Sequence, residues 1–159
     1  AMKLVYENIL DATKHEEEAL KNMLYASHIA GRAFSVSYVG YCHALAHALG
    51  GTYNIPHGYA NAVLLPYVLK QYGKKIYKKL AIIADYLNIS RPDDREDEKA
   101  RRFLIALNEL EHKLKIDERF YEIETGDVEH MALLAHKEAS PLYPVPVLWD
   151  RKVLAKMIN

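Results

Sequence analysis

With 159 residues the chain is long enough for one domain with its own core, and with 50% hydrophobic residues it belongs to the globular class rather than the disordered one. Its 21 basic residues are matched by 21 acidic ones, so it lacks the basic excess that a dedicated nucleic-acid or anionic-membrane surface requires. The single cysteine, Cys42, excludes an internal disulfide framework and suits a reducing cytoplasm, and no signal peptide or bilayer-length apolar run is present.

In chain order, Ala1 ahead of Met2 reads as a residue left by a removed tag. Leu4, Val5, Ile9 and Leu10 predict a short apolar first helix. Asp11 and His15 follow at i, i+4 spacing, which would put two metal donors on one face, but without a supporting pattern they read as surface. Met23, Ala26, Ala30, Ala33, Phe34 and Ser37 recur at helical spacing and predict one buried stripe. Gly40 breaks the pattern. The next helix carries His43 and His47, and Gly50-Gly51 is expected to end it with a positive-φ turn. Pro56 sets the approach to a further helix, which turns Ala60, Val63, Leu64 and Val68 towards the core. After Gly73, Ile76, Leu80, Ile83 and Leu87 form another stripe. Pro92, followed by Asp93 and Asp94, predicts a helix start, and the mixed charges from Arg91 to Arg102 read as its solvated face. Phe103, Leu107, Leu110 and Leu114 then line that helix. Beyond Gly126, the stretch from Pro141 to Pro146 cannot be regular helix and is expected to run extended. A closing helix is predicted from about Trp149 to Met157. No sustained period-2 alternation occurs. The fold class is therefore all-α, an antiparallel array of about six or seven helices.

Of the eight histidines, His15, His28, His112, His130 and His136 have no partner at ligand spacing with a supporting pattern around it and read as surface or structural residues. His43 and His47 share one helix face, and His57 follows after a short turn that can bring it back beside them. Neutral imidazole is a common ligand for iron and zinc, so metal binding is one reading and packed or capping histidines the other. The pair is not HExxH, because alanine and leucine stand where the glutamate and its neighbour would be. Cys42 points about 100° around the helix from His43 and reads as a small buried side chain.

The string His43-Ala44-Leu45-Ala46-His47-Ala48-Leu49-Gly50-Gly51, continuing through Pro56-His57-Gly58 and Asn61 to Pro66, closely resembles the signature of the iron-containing (group III) alcohol dehydrogenases. Upstream, Met23 to Ser27 and Ala30 to Ser35 resemble the helix that precedes that signature. The resemblance implies the helical C-terminal domain of the dehydroquinate synthase-like fold, covering residues 1–159 as a single domain. It implies that His43 and His57 are ligands of Fe2+ (or Zn2+). His47 would lie beside the metal and the nicotinamide of NAD or NADP, as a catalytic proton relay and cofactor contact. Phe34 and Val39 would line the alcohol pocket. The family completes its metal site with an aspartate and a third histidine from an earlier helix, which would precede Ala1. Its glycine- and serine-containing nucleotide loop, in an N-terminal domain, has no counterpart in this chain. The expected activity is interconversion of short primary alcohols and aldehydes, with no turnover by this chain alone. The expected partners are that small substrate and further copies of the chain in a homo-oligomer, with no nucleic acid and no membrane.

Two other classes compete. One is a truncated, metal-free helical domain kept for interaction or assembly. The other is a stand-alone di-iron bundle using Glu109-x2-His112, which lies in a charged segment with nothing to pair with it.

Overall fold

The computed structural model describes residues 1–158. Among these residues eight α-helices follow one another: α1 (Met2–Ala12), α2 (Glu17–Ser37), α3 (Tyr41–Tyr53), α4 (His57–Tyr72), α5 (Tyr77–Tyr86), α6 (Glu96–Lys113), α7 (Thr125–Ala139) and α8 (Arg151–Ile158). A 3-10 turn, Gly73–Ile76, separates α4 from α5. No strand occurs among the described residues. The all-α class expected from periodicity is what is found, with more helices than anticipated. The break expected at Gly73 is found, with a φ of 52° that ends α4 where a side chain would be strained.

Helix α3 is the centre of the molecule. It packs on α4, α7 and α8, and small residues allow the close approach. Ala44, Leu45 and Leu49 of α3 and Met131, Ala132 and Ala135 of α7 are fully buried. From α4, Ala60, Val63, Leu64 and Val68 all enter the core as predicted. Trp149, 6% exposed, lies against two rings at once: Tyr41 at 4.8 Å and Tyr72 at 4.3 Å between centroids, both stacked. Its backbone N–H donates to the Tyr41 hydroxyl at 3.0 Å. This contact fixes the chain that leads into α8, whose Leu154 and Ile158 are buried.

Two helical hairpins flank this centre. In one, α1 packs on α2, and Asn22 Nδ2 donates to Asn8 Oδ1 at 2.9 Å. The predicted stripe on α2 is only partly covered. Ala26 is buried and Met23 and Ala30 half-buried, but Ala33, Phe34 and Ser37 are exposed. The reason is length: α1 has 11 residues and α2 has 21, so α1 cannot cover the whole of its partner. In the other hairpin, α5 packs on α6 through the Ile76, Leu80 and Leu87 stripe.

Four local expectations need correction. Gly50 and Gly51 do not end α3. Both lie within it, and the left-handed turn falls on Asn54, φ 54°, whose N–H donates to Gly50 O at 3.0 Å. Gly50 lies against the link that follows, where a Cβ would sit 3.4 Å from Ile55 O. Pro92 does not open α6. The Arg91 N–H donates to Asp94 Oδ2 at 2.7 Å and closes a turn first, and the helix starts at Glu96, where Glu98 accepts from the Arg95 N–H at 2.7 Å. The stretch after α7 is non-helical as expected but turns rather than extends, with the Tyr143 N–H on Ala139 O at 2.9 Å and the Val145 N–H on Tyr143 O at 2.8 Å. The closing helix starts two residues later than predicted, at Arg151.

One carboxyl is pushed well above its ordinary range. Glu111 of α6 is half-buried beside a cleft that Val63, Tyr67, Leu104 and Asn108 also line, and burial pushes it up to about 7 from 4.5. The folded chain therefore holds this proton more tightly than the unfolded chain. The resulting stabilisation is complete below the ordinary value of 4.5 and is lost as pH rises through about 7. Glu111→Gln removes the charge that burial penalises. Its melting temperature is expected to exceed that of the parent chain at about pH 8.5 and to match it at about pH 4. Thermal unfolding followed by circular dichroism at the two pH values checks this, and an equal gain at both would show that charge is not the cause.

Candidate functional site

The α3–α4 corner assembles the three histidines singled out by spacing. His43 and His47 are one turn apart on α3, and His57 is the first residue of α4. Asn54 in the left-handed region and extended Pro56, ψ 130°, reverse the chain within three residues, so α4 begins against the α3 face that carries the pair. The imidazole centroids of His43 and His57 are 5.2 Å apart, those of His47 and His57 5.0 Å and those of His43 and His47 6.1 Å. His47 and His57 stack at 21°.

His43 is half-buried and its pKa is held below the usual imidazole range, first by burial and then by the neighbouring His57 and His47, with Glu138 opposing. That favours the neutral ring, the form with a lone pair for a metal. Asn61, one turn into α4, donates Nδ2 to His57 O at 3.0 Å and lies 3.2 Å from His57 Nε2. On the other side, Glu138 Oε1 lies 2.8 Å from His47 Nδ1 and accepts the Tyr143 hydroxyl at 2.6 Å. Burial, then Glu138, pushes the Tyr143 hydroxyl up to about 12, so it remains a donor at neutral pH.

Clustered imidazoles on an open surface are the kind of donor set that suits a divalent iron or zinc ion. It is a partial set. Among the described residues no three His, Cys, Asp or Glu donors are arranged to hold one metal ion, so the imidazoles form a wall rather than a cage. Cys42 adds nothing to it: its thiol donates to Asn61 O at 3.4 Å and burial pushes it up to about 12, which leaves it an inert small side chain.

The remaining candidates fall elsewhere. Phe34, 53% exposed, lies in the exposed last turn of α2, and Val39 is half-buried in the link to α3. Neither lines the cleft beside Glu111 or a second one between Tyr53 and Tyr121. Asp11 and His15 are not on one helix face, because α1 stops at Ala12, His15 has a φ of 64° and Asp11 pairs with Lys14 at 2.8 Å. Glu109 and His112 are exposed on α6. His28 and His130 are exposed too, and His136 is half-buried with an unpartnered Nδ1. Glu138 and Tyr143 are the residues that sequence reasoning missed. Glu138 is 91 positions from His47 and carries no local signal. The break in helical pattern at Pro141 marks only that the chain must turn there.

Comparison with known proteins identifies the family. Residues 1–155 match the model of the Fe-containing alcohol dehydrogenase family, C-terminal. The chain is 37% identical over 162 residues to alcohol dehydrogenase 4 of Saccharomyces cerevisiae, covering 98% of this chain and 41% of that one. It is 33% identical over 144 residues to the 1,3-propanediol dehydrogenase of Klebsiella pneumoniae, covering 88% and 37%. Among solved structures, a 1,3-propanediol oxidoreductase superimposes with a TM-score of 0.90 at 30% identity, covering 98% of this chain and 42% of that one. The chain thus spans well under half the length of these relatives. It belongs to the iron-containing alcohol dehydrogenase family, of which it forms the helical C-terminal domain.

Proposed function

We propose that this chain supplies the metal-binding wall of an NAD(P)-linked, metal-dependent alcohol dehydrogenase acting on short primary alcohols and their aldehydes. The observation that carries this reading is the convergence of His43, His47 and His57 at the α3–α4 corner, with ring centroids within 6.1 Å of one another. His43 and His57 would hold the metal. A divalent iron or zinc ion, when bound, supplies Lewis-acid polarisation of the alcohol oxygen. His47 holds or passes the alcohol proton and lies where a nicotinamide ring would approach. Phe34 and Val39, at the corner that leads into α3, give apolar surface to the alkyl part of the substrate. An aspartate and a further histidine from a preceding helix would complete the ligand set, and a nucleotide-binding domain would complete the cleft. The relatives point to the same chemical class: one is named as an NADPH-dependent butanol dehydrogenase and another as a 1,3-propanediol dehydrogenase.

Metal retention tests the ligand assignment directly. Affinity depends on ligand count and geometry, and two imidazoles make half a site. The chain loaded with zinc or ferrous ion is expected to lose most of it on a desalting column, with His43→Ala and His57→Ala each removing the remainder, as read by elemental analysis. Tight one-to-one binding that survives both substitutions would rule these ligands out.

A further inference from the structure

The proposed chemistry leaves Glu138 unused, yet among the described residues it is the one carboxylate bonded to the imidazole cluster. It lies near the end of α7, the helix that packs on α3 through Met131, Ala132, Ala135 and Ala139, so its backbone is held by core contacts on the side facing His47. Past α7 the chain folds back, with the Tyr143 N–H on Ala139 O at 2.9 Å, and this places the Tyr143 hydroxyl 2.6 Å from the same Glu138 oxygen that meets His47. Tyr143 itself packs against the core. Oε1 of Glu138 therefore has two partners on two different elements, which restricts the carboxylate far more than a single surface ion pair would.

The consequence is for the tautomer of His47. A neutral imidazole has one N–H and one bare nitrogen, and the bond made by one nitrogen decides the state of the other. A carboxylate only accepts, so the nitrogen facing Glu138 must carry the proton. We infer that Glu138, braced by Tyr143, is a positioning residue that fixes His47 as the Nδ1–H tautomer and leaves Nε2 bare on the side of the ring away from Glu138. The ring's stacking on His57 at 5.0 Å restricts its rotation from a third direction. This inference rests on the reading of His47 as the group that handles the alcohol proton, since a bare nitrogen held in one direction is what that task needs.

The test has two arms. Long-range proton–nitrogen NMR spectra of this chain without metal, at a pH where His47 is neutral, read its tautomer. Nδ1–H is expected in the parent chain, and a shift towards the Nε2–H form, which an unconstrained histidine side chain prefers, is expected in Glu138→Ala. Tyr143→Phe, which removes only a hydroxyl, is expected to give a mixture. An Nε2–H tautomer in the parent chain overturns the inference without any variant, and so does a tautomer that Glu138→Ala leaves unchanged. The second arm uses an enzyme in which this chain is joined to the nucleotide-binding half of a relative. There Glu138→Ala is expected to lower kcat by about 10–100-fold, with KM for butanol and metal content held within about twofold and partial recovery in Glu138→Asp. Loss of metal or a change confined to KM overturns the inference. If the tautomer shifts as expected but His47→Ala keeps full kcat, the catalytic reading of His47 fails and the positioning contact stands.

Discussion

In an enzyme that joins this chain to a nucleotide-binding half, His47→Ala is expected to lower kcat by about 10²–10⁴-fold while the metal stays bound. The size follows from the role. A positioned acid–base group acts on the proton only as the transition state forms, so its loss appears in kcat more than in KM. The metal stays because His43 and His57, the two proposed ligands, are untouched and their elements remain packed: Ala44 and Leu45 beside His43 and Ala60 one turn after His57 are fully buried. His57→Ala is the contrasting variant. It removes a ligand, so metal and rate are expected to fall together. Steady-state kinetics with butanol over a range of pH, paired with elemental analysis of each variant, separate the two patterns. A His47→Ala enzyme with unchanged kcat and pH profile would remove the relay role, and one that loses its metal would make His47 a ligand.

Trp149→Ala is expected to destabilise the chain by about 3–5 kcal/mol. The indole is 6% exposed, stacks on Tyr41 and Tyr72, and its backbone N–H is tied to the Tyr41 hydroxyl. Truncation removes a large buried surface and leaves two rings facing a void that rigid helices α3 and α4 cannot close. It also leaves the lead into α8, whose Leu154 and Ile158 cover part of α7 and α3, held only by the backbone N–H bond to Tyr41. Urea unfolding followed by circular dichroism checks the prediction, with Leu134→Ala, at an exposed site, expected within about 0.5 kcal/mol of the parent. A loss for Trp149→Ala of about 1 kcal/mol or less would show that the aromatic stack adds little beyond neighbouring contacts.

The histidine site shows how much a local pattern conveys. His43 and His47 are one helical turn apart, so their common face follows from helix geometry alone. His57 is legible for a related reason: only three residues separate α3 from α4, and a link that short leaves few places for the second helix to begin. The stripe from Ile76 to Leu87 and the inward face of α4 are equally local. The class of fold, the corner that carries the imidazoles and the family to which their surroundings belong were all set by short-range order along the chain.

What only the tertiary structure decided involves contacts between distant elements or competition between neighbouring ones. The α2 stripe has helical period throughout, yet burial ends where α1 runs out, because periodicity states which residues can share a face and not whether a partner covers them. Pro92 is as good a helix opener as Glu96 by composition, but the turn that Asp94 closes on the Arg91 N–H decides between them. Glu138 reaches His47 across 91 residues, and Tyr143 reaches Glu138 because of how the chain folds back after α7. Nothing in the residues beside either one marks that meeting. It exists because α7 packs on α3 in one register, and that register is chosen by alanines whose only local property is to be small.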